Sequence, residues 1–140
     1  MAAKRILVLC TGNSARSQMG EGLFRHEGQG ACEVASAGTK PGFVRPEAIA
    51  AMREIGIDIT GHRSKSVEEF RGQGFDFVVT VCDHARDVCP VFPEGTAMVH
   101  WSFEDPAAVE GSEEERLAAF RRIRDQIHVR VKEFFRQAGA

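Results

Sequence analysis

A cysteine and an arginine separated by five residues are the first candidates for chemistry in this 140-residue sequence. Cys10 and Arg16 enclose the run Thr11-Gly12-Asn13-Ser14-Ala15, and Ser17 follows directly. A loop that leads into a helix can turn its backbone N–H groups toward an anion, and a guanidinium can hold two anion oxygens. The same positive field favours a cysteine thiolate, to which Ser17 can donate a hydrogen bond. The segment 10–17 therefore predicts a nucleophilic cysteine in a loop that binds a tetrahedral oxyanion.

The position of this loop distinguishes it from a chance pattern. Taken by itself, the spacing of the two residues is also consistent with Cys10 as a small core residue and Arg16 as a surface charge. The loop follows the apolar run 6–9, typical of a strand buried on both faces, and precedes a predicted helix. We expect Gly12 to supply a backbone conformation that larger residues cannot adopt.

Asp105 is the candidate proton donor. It precedes Pro106 in a predicted loop after the fourth strand, at the sheet edge where the oxyanion loop also opens. A carboxylic acid there can protonate a departing oxygen. Asp-Pro is also common turn chemistry, so the sequence leaves both interpretations open.

Cys82 and Cys89 indicate a redox reaction rather than simple hydrolysis. Cys82 follows the third predicted strand, and Cys89 lies seven residues further on. A second thiol can attack a sulfur bonded to the substrate and release it. The alternatives are two buried small hydrophobes, or a metal site with His84 and His62, whose spacing matches no common zinc pattern. We interpret Cys32 as a core residue.

The remaining pattern predicts a single α/β domain over residues 1–140, with a central four-stranded, mainly parallel sheet in three layers. Strands are predicted at 6–9, 32–35, 76–81 and 96–100, and helices from Ser17 to Gly28, from Pro46 to Ile55, after Ser66 and after Ser112. The last helix carries an apolar stripe from Leu117 to Phe134. Its arginines are interpreted as a solvated surface rather than a basic binding face. Ligands of such sheets bind beyond the carboxyl ends of the strands, where Cys10 lies.

Composition narrows the functional classes. A formal charge of −2 argues against a general nucleic-acid binder. No apolar stretch approaches the roughly 20 residues of a membrane span, and the apolar start is too short for a signal-peptide core. We expect a cytoplasmic protein, in which four cysteines are more often catalytic, metal-binding or buried than a disulfide frame.

Several motifs together resemble the thioredoxin-coupled arsenate reductases, which share the fold of the low-molecular-weight protein tyrosine phosphatases. The similarity covers nearly the whole chain. The motifs are the run 10–19, Ser36-Ala37-Gly38, Asp58-Ile59, His62, the run 78–82, Cys89-Pro90 and the run 100–107. The loop would be shared with the phosphatases, whereas the pair Cys82 and Cys89 singles out the reductases.

The resemblance implies a role for each residue. Cys10 attacks arsenate while Arg16 and the loop amides hold its oxygens, and Asp105 protonates the leaving hydroxyl. Cys82 then releases arsenite by forming a Cys10–Cys82 disulfide, and Cys89 converts it to Cys82–Cys89. Thioredoxin would reduce that disulfide, with no bound cofactor, in arsenic detoxification. We expect a monomer whose loop also accepts phosphate or sulfate.

The segment between the two later cysteines has a geometric constraint. A helix would separate Cys82 and Cys89 by about 10 Å along its axis. A disulfide tolerates about 7 Å between Cα atoms. The segment is therefore predicted to loop out or unwind during turnover.

A potassium site is the point where the chain departs from the resemblance. Several members bind potassium through residues that match Asn13, Glu21 and Ser36, together with an acidic residue. That last position holds Lys65 here, so we expect an ammonium group in place of the cation and no potassium requirement. Glu21 is equally interpreted as an ordinary polar residue of the first helix.

Two competing functions remain. A phosphatase acting on phosphotyrosine or small phosphate esters needs only Cys10, Arg16, Ser17 and Asp105. However, Ala107 and Ala108 stand where tyrosine phosphatases of this fold usually carry aromatic residues. A non-catalytic oxyanion-binding or redox-sensing module would keep the loop and not need Asp105. His62 and Trp101 are interpreted as packing residues beside the site.

Overall fold

Strands and helices alternate along the chain. The computed structural model describes residues 4–87, 89, 92–93 and 95–137, except for the side chain of residue 84. The strands are β1 Lys4–Cys10, β2 Cys32–Gly38, β3 Phe77–Thr80 and β4 Ala97–His100. The helices are α1 Arg16–Gly28, α2 Pro46–Arg53, α3 Asp83–Asp87 and α4 Glu113–Gln137, with short 3-10 helices at Val67–Phe70 and Pro106–Ala108.

The four strands form one parallel sheet in the order β2-β1-β3-β4. This confirms the predicted α/β class. The strand β1 is apolar from Ile6 to Cys10 because helices and neighbouring strands cover this part, and its residues 6–9 are fully buried. Cys10 ends β1, and Cys82 comes two residues after the end of the neighbouring strand β3, so the parallel arrangement brings both to one edge.

The helices cover the sheet through their apolar stripes. Helix α1 packs on β1, β2 and α4, and α4 also contacts α2. Four members of the predicted stripe of α4, Phe120, Ile123, Ile127 and Val131, are fully buried, whereas its two end members are half-buried. Ala119 and Arg124, which lie outside the stripe, are buried as well. Phe24 of α1 stacks on Trp101 at 5.8 Å between ring centroids, which places Trp101 in the packing role predicted for it.

Several element boundaries differ from the sequence-based expectations. Strand β2 continues to Gly38 because it pairs with β1 as far as Cys10. Strand β3 is shorter at both ends than predicted, and the Asp76 carboxylate accepts a hydrogen bond from the Arg5 backbone N–H at 2.8 Å. The helix predicted after Ser66 is a single 3-10 turn.

The start of α4 confirms the predicted capping box. The Glu115 N–H donates to Ser112 Oγ at 3.1 Å, and the Ser112 N–H donates to Glu115 Oε1 at 3.4 Å. None of the helices in the described part of the chain is long and apolar enough to cross a membrane.

Candidate active site

The backbone of the loop 10–15 is anchored through its carbonyl groups. Four of them accept hydrogen bonds from the segment 39–45: Thr39 N–H to Cys10 O at 3.3 Å, Lys40 to Thr11 at 2.8 Å, Gly42 to Gly12 at 3.1 Å and Arg45 to Ser14 at 2.9 Å. The Gln18 side chain donates to the fifth, Asn13 O, at 3.0 Å. Among the described residues, the N–H groups of 12–16 donate to no protein acceptor. A loop so anchored keeps its amides for an anion.

Gly38 allows the close approach that this anchoring requires. A Cβ at Gly38 would lie 2.5 Å from Thr11 O and 2.9 Å from Asn13 N. Any side chain there would push the loop away from β2. No local pattern in the sequence indicates this role, although Gly38 belongs to one of the motifs that carry the resemblance.

The expectation for Gly12 is wrong, because the strained residue is Asn13. Asn13 has φ 47°, whereas Gly12 is not among the positive-φ glycines of the described residues. Asparagine tolerates this left-handed conformation better than most residues. Its side chain also stabilises it, since Oδ1 accepts from the Lys65 N–H at 2.9 Å and Nδ2 donates to Ser17 and Ser36.

The nucleophile candidate Cys10 is almost fully buried at the base of the loop, with 2% of its surface exposed. Its Sγ lies 2.9 Å from Ser17 Oγ. Ser17 Oγ accepts from Asn13 Nδ2 at 2.7 Å, so its own hydrogen is available to Cys10. The N-terminus of α1 lies beside the thiol and adds a positive field. The structure therefore brings Ser17 and the start of α1 to the nucleophile, as the sequence predicted, and adds Asn13 as the residue that orients Ser17.

Arg16 and Asp105 face each other at the loop. Arg16 Nη1 donates to the carbonyl of Phe103 at 3.1 Å, and Nη2 lies 3.8 Å from Asp105 Oδ2. The other carboxylate oxygen of Asp105 accepts from the Ala107 N–H at 2.9 Å and caps the 3-10 helix 106–108. The turn role and a position near the oxyanion loop therefore coexist in Asp105.

The cysteines divide between the two ends of the sheet. Cys82 is buried, and its Sγ lies 3.3 Å from Thr11 Oγ1, so it adjoins the loop that holds Cys10. Cys89 follows α3 and is half-buried, and burial raises the pKa of its thiol. Cys32 begins β2 opposite Lys4, at the far end of the sheet from Cys10. All four cysteines are free thiols.

No group of three or more His, Cys, Asp or Glu side chains in the described residues is arranged to hold a metal ion. The side chain of His84, a candidate ligand in the metal interpretation, lies outside the described part of the chain.

A hydrogen-bonded chain leads from Cys10 to a buried carboxylate. Asn13 Nδ2 bridges Ser17 and Ser36, and Ser36 Oγ donates to Glu21 Oε1 at 2.6 Å. The Glu21 side chain is only 4% exposed. The residues of the candidate potassium site are therefore in contact with the residues that orient the nucleophile.

Cationic side chains already neutralise Glu21. Arg25 Nη1 lies 2.7 Å from Glu21 Oε2, and Lys65 Nζ lies 3.9 Å from Oε1. Burial lowers the pKa of Lys65, and the Glu21 charge opposes this effect. With both cations in place and Asn13 Oδ1 bonded to a backbone N–H, these residues do not fit a potassium ion.

His62 completes the surroundings of Glu21 as a neutral ring. Its Nε2 lies 3.1 Å from Arg25 Nη1, and because a guanidinium can only donate, Nε2 must accept. Nδ1 then carries the hydrogen and donates to Gln18 Oε1 at 2.9 Å. Burial lowers the pKa of His62, with Glu21 acting in the opposite direction. His62 thus supports the loop through Gln18 and does not touch Cys10.

Comparisons with known proteins agree with this geometry. The family model described as low molecular weight phosphotyrosine protein phosphatase matches residues 5–139. An arsenate reductase of Halalkalibacterium halodurans is 48% identical over 134 residues, which cover 96% of each chain. A solved structure of an arsenate reductase in the phosphate binding state is 33% identical with a TM-score of 0.78, covering 96% of this chain and 98% of the other.

A thioredoxin-dependent arsenate reductase of Corynebacterium glutamicum is also similar. It is 26% identical with a TM-score of 0.74, and the match covers 96% of this chain and 61% of the larger one. By sequence, by fold and by the loop that follows β1, this chain belongs to the low molecular weight phosphotyrosine protein phosphatase family, alongside relatives that are arsenate reductases.

Proposed function

We propose that this protein reduces arsenate to arsenite, with Cys10 as the nucleophile and Cys82 and Cys89 as the source of electrons. The observation that carries the proposal is the position of Cys82, whose Sγ lies 3.3 Å from Thr11 Oγ1 in the oxyanion loop. Hydrolysis by a phosphatase loop has no use for a second buried thiol there. The arsenate reductases among the relatives support the same reaction.

The first step is substitution at arsenic. The amides of residues 12–16 and the Arg16 guanidinium hold the oxygens of arsenate, and the Cys10 thiolate attacks the arsenic atom. An As–S bond forms and an As–O bond breaks. Asp105, next to Arg16, protonates the departing hydroxyl so that it leaves as water. Arsenic remains in the +5 state.

The second step transfers the electrons. The Cys82 thiolate attacks Sγ of Cys10, and the electron pair of the S–As bond stays on arsenic. Arsenite leaves with arsenic in the +3 state, and a Cys10–Cys82 disulfide remains. The Cys89 thiolate then attacks Sγ of Cys82 and expels the Cys10 thiolate. One arsenate and two thiols thus give one arsenite, one disulfide and one water.

A dithiol protein of the thioredoxin class is the proposed electron donor. The similarity to a thioredoxin-dependent arsenate reductase supports this choice. Helix α3 occupies most of the segment between Cys82 and Cys89, and seven residues in helical geometry span about 10 Å, more than a disulfide tolerates. We therefore expect this segment to loop out or unwind when the disulfide forms. Structures of the reduced and oxidised protein with an identical helical backbone from 83 to 87 would contradict this step.

A weak phosphatase activity is the second candidate. It is favoured by one observation, that Cys10, Ser17, Arg16 and Asp105 all lie at the same loop. Phosphate and arsenate have nearly the same shape, so the first step applies equally to a phosphate ester. Ala107 and Ala108 offer no aromatic surface to a substrate ring, which argues against phosphotyrosine.

The test supplies arsenate, thioredoxin, thioredoxin reductase and NADPH, and follows the loss of NADPH. The substitutions Cys10→Ser, Cys82→Ser and Cys89→Ser should each abolish turnover. Cys32→Ser is the matched control, because Cys32 lies at the opposite end of the sheet and should leave turnover unchanged.

The same variants separate the two candidate activities. The Cys82→Ser, Cys89→Ser double variant should still hydrolyse an aryl phosphate if the loop alone performs the first step. Arsenate reduction at the full rate by that double variant would overturn the proposed function.

A further inference from the structure

The first residue of α3 is tied to the ends of two strands by a chain of hydrogen bonds. His100, the last residue of β4, places Nδ1 2.7 Å from Thr80 Oγ1 and Nε2 2.9 Å from Asp83 Oδ1. Thr80 ends β3 and is 2% exposed. Asp83 begins α3 directly after Cys82. We call Thr80, His100 and Asp83 the helix clamp.

The chemistry of the helix clamp fixes the orientation of the imidazole. A carboxylate only accepts hydrogen bonds, so Nε2 of His100 carries the hydrogen shared with Asp83. Nδ1 bonds the buried hydroxyl of Thr80, which also lies 3.4 Å from the carbonyl of Val99. The ring therefore cannot turn without losing a contact on each side.

The contact with His100 also changes the acidity of the Asp83 carboxyl group. Its pKa lies below the ordinary value, chiefly because of the hydrogen bond from His100 and then because of one from Ser102. Burial acts in the opposite direction, and Arg86 adds a smaller attraction. Both main partners belong to β4 and the residues just after it, so the contacts hold α3 to the end of the sheet.

We propose that the helix clamp stabilises the reduced form of the Cys82–Cys89 segment and that His100 is a positioning residue for this pair. The inference rests on the proposed function, in which Cys82 and Cys89 form a disulfide. In that proposal the segment loops out or unwinds when the disulfide forms, and because Asp83 adjoins Cys82, this change separates Asp83 from His100. A contact made in only one of two states shifts the equilibrium toward that state. Loss of the helix clamp therefore favours the disulfide.

The expected effect is modest, because the Asp83 side chain is 62% exposed and that of His100 is 24% exposed. A pair this accessible to water changes an equilibrium constant by about fivefold at most. The predicted result of breaking the contact is an approximately fivefold larger equilibrium constant for oxidation of Cys82 and Cys89.

The experiment isolates this pair of thiols in the full-length chain. In a Cys10→Ser, Cys32→Ser background, the protein is equilibrated with mixtures of reduced and oxidised dithiothreitol. Each exchange transfers two electrons and two protons from Cys82 and Cys89 to the oxidised reagent. The disulfide fraction is measured by alkylation and peptide mass spectrometry for the parent, Asp83→Ala, His100→Phe and the double variant.

The helix clamp predicts non-additive results. His100→Phe should raise the oxidation constant about fivefold, and Asp83→Ala, which also loses the contact with Ser102, should raise it at least as much. The double variant should raise it no further than Asp83→Ala does. Asp83→Asn keeps an acceptor for Nε2 and should show a smaller increase. His128→Phe is the matched control, because His128 is 23% exposed and bonds Glu27 at 2.7 Å, away from α3. It should leave the constant unchanged.

Two outcomes would overturn the inference in distinguishable ways. If the disulfide forms but its equilibrium constant is the same in all variants, or if the effects of the two single substitutions add, the proposed role of the helix clamp is wrong and the thiol relay is unaffected. If Cys82 and Cys89 form no disulfide in the parent protein, the proposed relay fails and the helix clamp fails with it.

Discussion

Lys65 is expected to take the electrostatic place of a potassium ion beside Glu21, so its replacement by aspartate should create a response to potassium that the native protein lacks. The two charged groups are 3.9 Å apart, and their side chains are 11% and 4% exposed. At this distance and an effective dielectric constant of about 20, their attraction is about 4 kcal/mol. The desolvation of both groups offsets much of this gain.

Arg25 remains 2.7 Å from Glu21 after Lys65 is removed, so the carboxylate keeps one partner. The net loss of unfolding free energy in Lys65→Met should therefore be about 1–2 kcal/mol. For a chain of this size that corresponds to a decrease in Tm of about 3–8 °C. Thermal unfolding monitored by circular dichroism measures the difference directly.

The assay compares potassium chloride with choline chloride at equal ionic strength. Neither the native protein nor Lys65→Met should change its own Tm or its own arsenate turnover between the two salts. Lys65→Asp places a second carboxylate beside Glu21 and should be stabilised by potassium. Specific stabilisation or strong activation of the native protein by potassium would refute this reasoning.

Three further substitutions test separate parts of the site. Burial lowers the pKa of His62 from 6.5, so on acidification the unfolded chain binds this proton before the folded protein does. The free energy of unfolding should therefore decrease as the pH falls below about 6.5. In denaturant titrations, His62→Gln should make this dependence on pH less steep. Gly38→Ala should abolish phosphate binding measured by calorimetry, because the new Cβ would lie 2.5 Å from Thr11 O. Gly42→Ala is the control, because a Cβ there meets nothing within 4 Å, and it should bind phosphate normally. Asp105→Asn keeps an acceptor for the Ala107 N–H and should retain its Tm while kcat for arsenate falls about 10²–10⁴-fold; an unchanged kcat would favour a binding module over an enzyme.

Local sequence patterns were sufficient to predict those parts of the fold and the site that depend on residues close together in the chain. The apolar run in β1 and the stripe of α4 predicted buried elements because burial follows the period of each element. The proximity of Cys10 and Cys82 also followed, since two parallel strands that pair must end at the same edge. The loop was recognisable because Cys10 to Ser17 is contiguous.

Contacts between distant segments were not predictable in this way. The close approach of Gly38 to Thr11 depends on the register between β1 and β2, which no single residue encodes. The error at Gly12 has the same origin, because the hydrogen bonds that stabilise the left-handed Asn13 come from Lys65 and reach Ser36. The contact between His100 and Asp83 spans 17 residues and two elements, so neither residue carried a local signal.

A single turnover with one equivalent of arsenate tests most directly whether Cys10, Cys82 and Cys89 act in sequence. The reduced protein is quenched by alkylation after reaction without thioredoxin, and its disulfides are assigned by peptide mass spectrometry. We expect a Cys82–Cys89 disulfide in the native protein and a Cys10–Cys82 disulfide in Cys89→Ser, each with one equivalent of arsenite. Arsenite formed without these disulfides, or with Cys10 joined to Cys32, would contradict it.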